Sequence, residues 1–192
     1  MKIKTFFPFI LSALLLGCGS STQPKVTVQT GLDRVSEFHD LFKNRRVGII
    51  TNHTGYDSKG RYITDVFREL KDVRITALFG PEHGIGGKAS AGDTINSDLD
   101  SSRQIPVYSL YGTTRKPTPE MLKNVDILVF DIQGIGARYY TYISTMALAM
   151  EAAAEQGKPY VVLDRPNPIT GKVMEGNLLN PQFSSFVGMF PI

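Results

Sequence analysis

The sequence predicts an α/β protein built as a Rossmann-like, doubly wound, mostly parallel sheet. Three observations predict it. Short apolar runs recur along the chain, among them Val47-Gly48-Ile49-Ile50 and Ile127-Leu128-Val129-Phe130. These runs are apolar at successive positions rather than alternate ones, the pattern of strands covered on both faces. Between them lie segments with apolar residues at helical spacing, and strands that alternate with helices assemble into a parallel sheet.

Taken in order, residues 34–43 carry Val35, Phe38, Leu41 and Phe42 at helical spacing. Residues 47–51 form the first buried strand. Residues 63–70 place Ile63, Val66, Phe67 and Leu70 on one helical face. Residues 73–79 form a second strand and 107–110 a shorter third. Thr118 followed by Pro119 marks the start of a brief helix over 119–123, because the hydroxyl caps and the proline's missing N–H is not needed in the first turn. Residues 126–132 make the strongest strand. Residues 144–156, rich in Ala, Met and Glu, form a helix that Gly157 stops. Residues 160–163 form the next strand. Ser185-Phe186-Val187-Gly188 reads as strand-like, and an apolar ending at Phe190-Pro191-Ile192 is not that of a natural domain. The chain is therefore expected to be truncated.

Composition narrows the function. The 192 residues hold 42% hydrophobic and 20% charged side chains, which excludes both a disordered tail and a multi-span membrane protein. A net charge of +3 comes from 21 Lys and Arg against 18 Asp and Glu scattered along the chain, with no basic stripe for nucleic acid. One Cys excludes an intrachain disulfide framework. Three histidines, His39, His53 and His83, leave little for a dedicated zinc centre. That single Cys follows Lys2, Lys4 and an apolar run over 6–16 that is too short to span a bilayer. Leu15-Leu16-Gly17-Cys18 looks like a bacterial lipobox. Residues 1–17 are read as a lipoprotein signal peptide, Cys18 as the lipidated residue, 18–30 as a polar tether and 31–192 as the globular domain. The expected location is a membrane surface after export, and Gly19 after the Cys points to the outer membrane in a host that has one.

In open α/β sheets ligands bind beyond the carboxyl ends of the strands. Four such exits are polar and rich in Gly or Pro. They are Thr51-Asn52-His53-Thr54-Gly55, Gly80-Pro81-Glu82-His83-Gly84, the Asp131-Ile132-Gln133-Gly134 exit running on to Arg138, and Asp164-Arg165-Pro166-Asn167-Pro168. Together they are read as one site. Glu82 fits a catalytic carboxylate or a helix cap, and His83 a partner or a hydrogen-bonded spacer. Asp131 fits a second carboxylate or a strand-end cap. Arg138 and Arg165 fit salt bridges, or forks for an anionic ligand. Tyr139, Tyr140 and Tyr142 fit core aromatics, or faces on which a sugar ring stacks. No dinucleotide fingerprint follows the first strand, and no Walker A, nucleophile-elbow or zincin motif occurs.

Several motifs in order carry a resemblance: Gly80-Pro81-Glu82-His83-Gly84, Tyr108-Ser109-Leu110-Tyr111-Gly112, Asp131-Ile132-Gln133 with Gly136-Ala137-Arg138 and Tyr140-Thr141-Tyr142, and Leu163-Asp164-Arg165-Pro166-Asn167-Pro168. From about Gly31 onward the chain resembles the bacterial exo-β-N-acetylmuramidases, glycoside hydrolase family 171, long described as a domain of unknown function. The resemblance implies a Rossmann-like N-terminal domain, a smaller C-terminal domain and a cleft between them. It implies release of N-acetylmuramic acid from the non-reducing end of peptidoglycan fragments, with Glu82 as the catalytic residue. Two positions depart from the family's pattern: Gly134 stands where Asp is usual and Gly86 where Arg is usual.

Cleaving a β-glycoside requires a proton for the leaving oxygen and stabilisation of an oxocarbenium-like state. Glu82 is the expected general acid, its pKa raised by partial burial. His83 is expected to orient it and Asp131 to be the second carboxylate, unless the substrate's own acetamido oxygen attacks. Inversion, retention and substrate assistance stay open. Arg138 or Arg165 is the expected reader of the lactyl carboxylate, and Asn52, His53, Gln133, Tyr142 and Asn167 complete the binding set. No metal or cofactor is expected. The alternatives are a lipid-anchored sugar-binding protein without turnover, and a metal-dependent hydrolase using His53, His83 and Asp131.

Overall fold

A computed structural model describes residues 28–90, 98–100 and 105–191. The proposed signal, Cys18 and most of the tether lie outside these residues. Among them the elements run β1 (Arg45–Thr51), α1 (Ile63–Glu69), β2 (Val73–Gly80), β3 (Asp98–Asp100), β4 (Ile105–Ser109), α2 (Pro119–Leu122), β5 (Ile127–Asp131), α3 (Tyr142–Glu155) and β6 (Tyr160–Val162), with a 3-10 helix at Val35–Leu41. The strands form one sheet in the spatial order β3-β4-β2-β1-β5-β6. Every neighbouring pair is parallel except β3 with β4. The expected doubly wound fold is the observed one.

The winding fixes where a site can form. From β1 the chain builds outward through β2 to β4, then returns across the sheet and lays β5 against the other side of β1. Thr51 at the end of β1 stands in register with Asp131 at the end of β5. The connections diverge there, leaving the crevice that such sheets use for ligands.

Both faces of the sheet are dry, as the uninterrupted apolar runs require. Val47 and Ile49 of β1 join Ile127 and Val129 of β5 on one face, with Leu32, Phe42, Ile63 and Phe67. Ile50, Leu128 and Phe130 point the other way, onto Phe79, Leu122 and the alanines of α3. Ala149, Ala152 and Ala153 let that helix lie close to β5 and β6. Each large side chain buried here contributes about 1.5–3 kcal/mol relative to exposure. Gly31 closes the other edge. Its N–H donates to the Asp164 carbonyl at 2.8 Å, and a Cβ there would sit 2.6 Å from the Leu163 Cα, so only glycine lets the two backbones meet.

Some elements differ from expectation. Residues 35–41 form a 3-10 helix with a non-helical break at Phe38. Phe38 and Leu41 remain 48% and 46% exposed while Val35 and Phe42 are buried, so the apolar spacing is not one continuous helical stripe. The helix after β5 begins at Tyr142, two residues before the expected start. Asp98–Asp100 pairs antiparallel with β4, although an Asp-Leu-Asp run carries no strand signal. The strand-like 185–188 run is a turn instead, with Ser185 and Gly188 exchanging backbone hydrogen bonds at 2.9 and 3.1 Å. A run of four residues with no neighbouring strand to pair with closes on itself.

At the opposite end of β1 and β5, Arg46 clamps Asp126. Its backbone N–H and its Nη2 each donate to the carboxylate at 2.8 Å. The Arg46 guanidinium holds the Asp126 carboxyl down at about 2. A carboxyl that ionises more readily folded than unfolded stabilises the fold above the ordinary carboxylate range, and that contribution is lost as pH falls through about 2. Asp126→Asn is expected to lower the urea midpoint at neutral pH, with the gap to wild type closing steadily on acidification. A gap that does not change with pH would show that the charge contributes nothing.

Candidate active site

The polar side chains at the strand exits fall into two groups, and the first forms a floor. Asp131 is fully buried at the end of β5, and Arg165, only 8% exposed, closes on it with both arms of its fork. Nε donates to Oδ1 at 2.5 Å and Nη2 to Oδ2 at 2.8 Å. Burial pushes the Asp131 carboxyl up, against the opposing pull of the Arg165 guanidinium. Arg165 Nη2 also donates to the Tyr56 carbonyl at 3.1 Å, so one side chain joins the exits of β1, β5 and β6.

Shorter bonds complete the floor. Thr51 Oγ1 donates to the Asp131 carbonyl at 3.0 Å. Thr54 Oγ1 accepts from the Gln133 N–H at 3.1 Å and donates to Asn52 Oδ1 at 2.6 Å. Gln133 Nε2 donates to the Pro166 carbonyl at 2.9 Å. Asn167 Oδ1 accepts from the Ile169 N–H at 3.1 Å and lies where a Cβ on Gly136 would have to go. Asn52 is fully buried; among the described residues its Nδ2 has no partner at hydrogen-bond geometry, and the Tyr142 phenol is a polar group it acts on.

The second group lines a cleft of about 250 Å³ beside the exit of β2. Glu82, His83 and the consecutive residues Tyr139, Tyr140, Thr141 and Tyr142 form its walls, with Val187 contributing from the far segment. Glu82 sits on a tight turn closed by the Gly84 N–H on the Pro81 carbonyl at 2.9 Å. His83 adopts a φ of 69°, in the left-handed region that favours glycine, a strain that clusters at functional loops. Its Nδ1 is hydrogen-bonded to the Ala89 carbonyl at 2.8 Å, pinning the loop to itself. Thr141 Oγ1 donates to Glu82 Oε2 at 2.8 Å. Tyr140 and Tyr142 meet edge to face with centroids 5.0 Å apart. Burial pushes the Tyr142 phenol up, the Asn52 amide opposes the shift, and the Glu82 charge adds to it. Tyr139 stands out into solvent, 70% exposed.

A strap passes over this mouth. After β6 the chain runs to the end of the described residues in turns and a 3-10 helix at Pro181–Phe183. Arg138 Nη1 donates to the Asn177 carbonyl at 2.8 Å, and its guanidinium packs where a Cβ on Gly176 would clash. Phe186 stacks between Tyr111, at 6.1 Å, and the Arg115 guanidinium, at 4.6 Å.

The structure thus sorts the expected residues. Glu82, His83 and Tyr142 meet in the cleft. Asn52, Asp131, Gln133, Arg165 and Asn167 lie together in the floor. Asp131 has no surface from which to meet a sugar, and Thr141 donates a hydrogen bond to Glu82. Arg138 holds the strap. His53 is exposed and packs against Gly87. Among the described residues no three His, Cys, Asp or Glu side chains converge as metal ligands. Gly86 and Gly134 face open space where a Cβ would go, so a side chain at either position would meet no clash at its first atom. Sequence reasoning missed Thr141. The signal lay in its place just before an alanine-rich helix, obscured by the late expected start.

The floor makes a prediction. Arg165→Leu leaves Asp131 buried without its partner and is expected to cost about 3–5 kcal/mol in urea unfolding. Replacing both residues by Leu is expected to cost less than that. A single variant as stable as wild type would show that the fork does not hold the exits together.

Comparison with known proteins places this geometry. The pattern of the family described as "Exo-beta-N-acetylmuramidase NamZ, N-terminal" matches residues 47–192. The peptidoglycan β-N-acetylmuramidase NamZ of Bacillus subtilis (strain 168) is 49% identical over 200 residues, covering 98% of this chain and 48% of that protein. The chain therefore spans about half the length of this curated relative. Two crystal structures of DUF1343 family proteins from Bacteroides fragilis NCTC 9343 share the fold. The first, at 1.65 Å, has a TM-score of 0.79 and 50% identity over 88% of this chain and 42% of its own. The second, at 1.30 Å, has a TM-score of 0.72 and 34% identity over 86% of this chain and 42% of its own. A match running from β1 through every later element, joined to this close a relative and these two folds, makes the chain a member of the NamZ exo-β-N-acetylmuramidase N-terminal family.

Proposed function

We propose that this chain forms the catalytic wall of a glycoside hydrolase that releases N-acetylmuramic acid from the non-reducing ends of peptidoglycan fragments. The observation that carries the reading is Glu82: a carboxylate on a strained loop, bonded through Oε2 to Thr141, in a cleft walled by three tyrosines together with His83 and Val187. Fixing Oε2 sets the direction in which the other carboxyl oxygen points, which general acid catalysis requires. Tyr139, exposed in that wall, offers a flat face to a sugar ring. Glu82 is the one carboxylate among the residues lining the cleft. The second catalytic group is then either the substrate's acetamido oxygen or a carboxylate from the rest of the family's length. Asp131 acts as the floor's counter-ion. Of the two arginines, Arg165 is closed on Asp131, while Arg138, whose Nη1 holds the Asn177 carbonyl, is exposed beside Tyr139 and is the one we assign to the lactyl carboxylate.

In the chain extended to the length of its relatives, Glu82→Gln is expected to keep the fold and to lower kcat on a chromogenic β-N-acetylmuramide by roughly a hundredfold or more. A variant that keeps most of its activity would place the acid elsewhere. Binding of the sugar by the wild type without turnover would favour a sugar-binding protein instead.

The sequence around Cys18 supports a surface-tethered location. Acyl chains on Cys18 hold a domain durably at a membrane when more than one is buried. Metabolic labelling with an alkyne fatty acid is expected to mark wild type and not Cys18→Ser, and equal labelling of both would remove the anchor.

A further inference from the structure

We propose that Thr141 is a positioning residue: its hydroxyl is turned away from capping α3 and holds the Glu82 carboxylate across the mouth of the sheet. The inference rests on the reading of Glu82 as the catalytic group. Thr141 occupies the N-cap position of the 14-residue α3, where a threonine ordinarily accepts a bond from its own helix. Here it makes no such bond. Thr118, in the same position before α2, does: with an extended ψ of 158° its oxygen accepts from the Met121 N–H. Thr141 has a ψ of −13°, a helical value that carries its side chain away from the first turn. The hydroxyl meets Glu82 Oε2 instead, at 2.8 Å.

Everything around Thr141 fixes it in that pose. It is only 8% exposed. Its carbonyl accepts from the Thr145 N–H at 3.0 Å, and Thr145 is fully buried. The preceding turn is closed by the Tyr140 N–H on the Ala137 carbonyl at 3.2 Å. β-branching further restricts the side chain's rotation. Glu82, by contrast, comes from a loop on the other wing of the sheet. The bond therefore ties a carboxylate carried on a loop to a residue held at a helix end. A donor in this place sets the angle of the reacting carboxyl without touching the sugar's leaving group.

The test compares Thr141→Val, which keeps the shape and removes the donor, with Thr141→Ser, which restores it. Both are measured on the chromogenic β-N-acetylmuramide, in the chain extended to the length of its relatives. Thr141→Val is expected to lower kcat roughly ten- to a hundredfold, the scale of one hydrogen bond to a charged group, with KM little changed and the thermal midpoint kept. Thr141→Ser is expected to recover most of the loss. In a Glu82→Gln background, Thr141→Val is expected to have little further effect, because the two act through one group. A loss confined to KM would overturn the inference, since the hydroxyl would then be meeting the sugar. Parallel loss of thermal midpoint in both variants would also overturn it, by showing a structural role. If Thr141→Val does not fold, Thr141→Ala against Thr141→Ser makes the same comparison. An inactive Glu82→Gln beside a fully active Thr141→Val sinks this inference alone. An active Glu82→Gln sinks the reading beneath it.

Discussion

The architecture of the site depends on the bidentate pair between Arg165 and Asp131. A carboxylate buried at the end of the most buried strand is costly to keep charged alone, because burial strips it of solvent. One fork resolves this and at the same time joins three strand exits through the Tyr56 carbonyl. Buried ion pairs are weak sources of stability, but breaking one is costly. The pair therefore acts as a selector: other arrangements of the loops after β1, β5 and β6 leave a charge stranded. The cleft above takes its shape from that single permitted arrangement.

Roles are layered across the mouth of the sheet. Among the described residues the floor is polar and hydrogen-bonded almost throughout. The cleft above it is aromatic, with one carboxylate. Floor residues bond to one another and wall residues line the cleft, and a residue's chemistry does not reveal which layer it belongs to. Glu82 and Asp131 are both acids at strand exits, yet one opens onto a cleft and the other is sealed beneath a guanidinium.

That distinction explains what was legible in the sequence. The core strands were readable because a parallel strand buried on both faces must be apolar at every position, as Ile127–Asp131 shows. The switch point followed from their order. The four exit loops were readable as neighbours at one end of the sheet because polar residues concentrate there, but not the division of their side chains between a floor and a cleft. Which polar residues pair with each other was not readable. Arg165 and Asp131 lie 34 positions apart, and each alone looks as fit for a ligand as for a partner. The short antiparallel β3 carries no pattern of its own and exists only because β4 offers it an edge. Thr141 was hidden by its context: a threonine before a helix reads as a cap, and only the backbone angle shows that it points elsewhere.

The crossover from β4 back to β5 has a kinetic consequence. Thr51 and Asp131, whose register opens the crevice, are 80 positions apart, and Glu82 and Thr141 are 59 apart. Contacts of such separation form slowly, since the loop must close before they contribute. The helices and the β1–β2 unit need only nearby chain, but the cleft needs the ribosome to have released α3 and β6 as well. The helices and the β1–β2 pairing can therefore form before the cleft exists. A substitution that slows docking of β5 onto β1 leaves a chain with native-like helix content and no assembled mouth, and its apolar strand edges stay open to other chains for that interval.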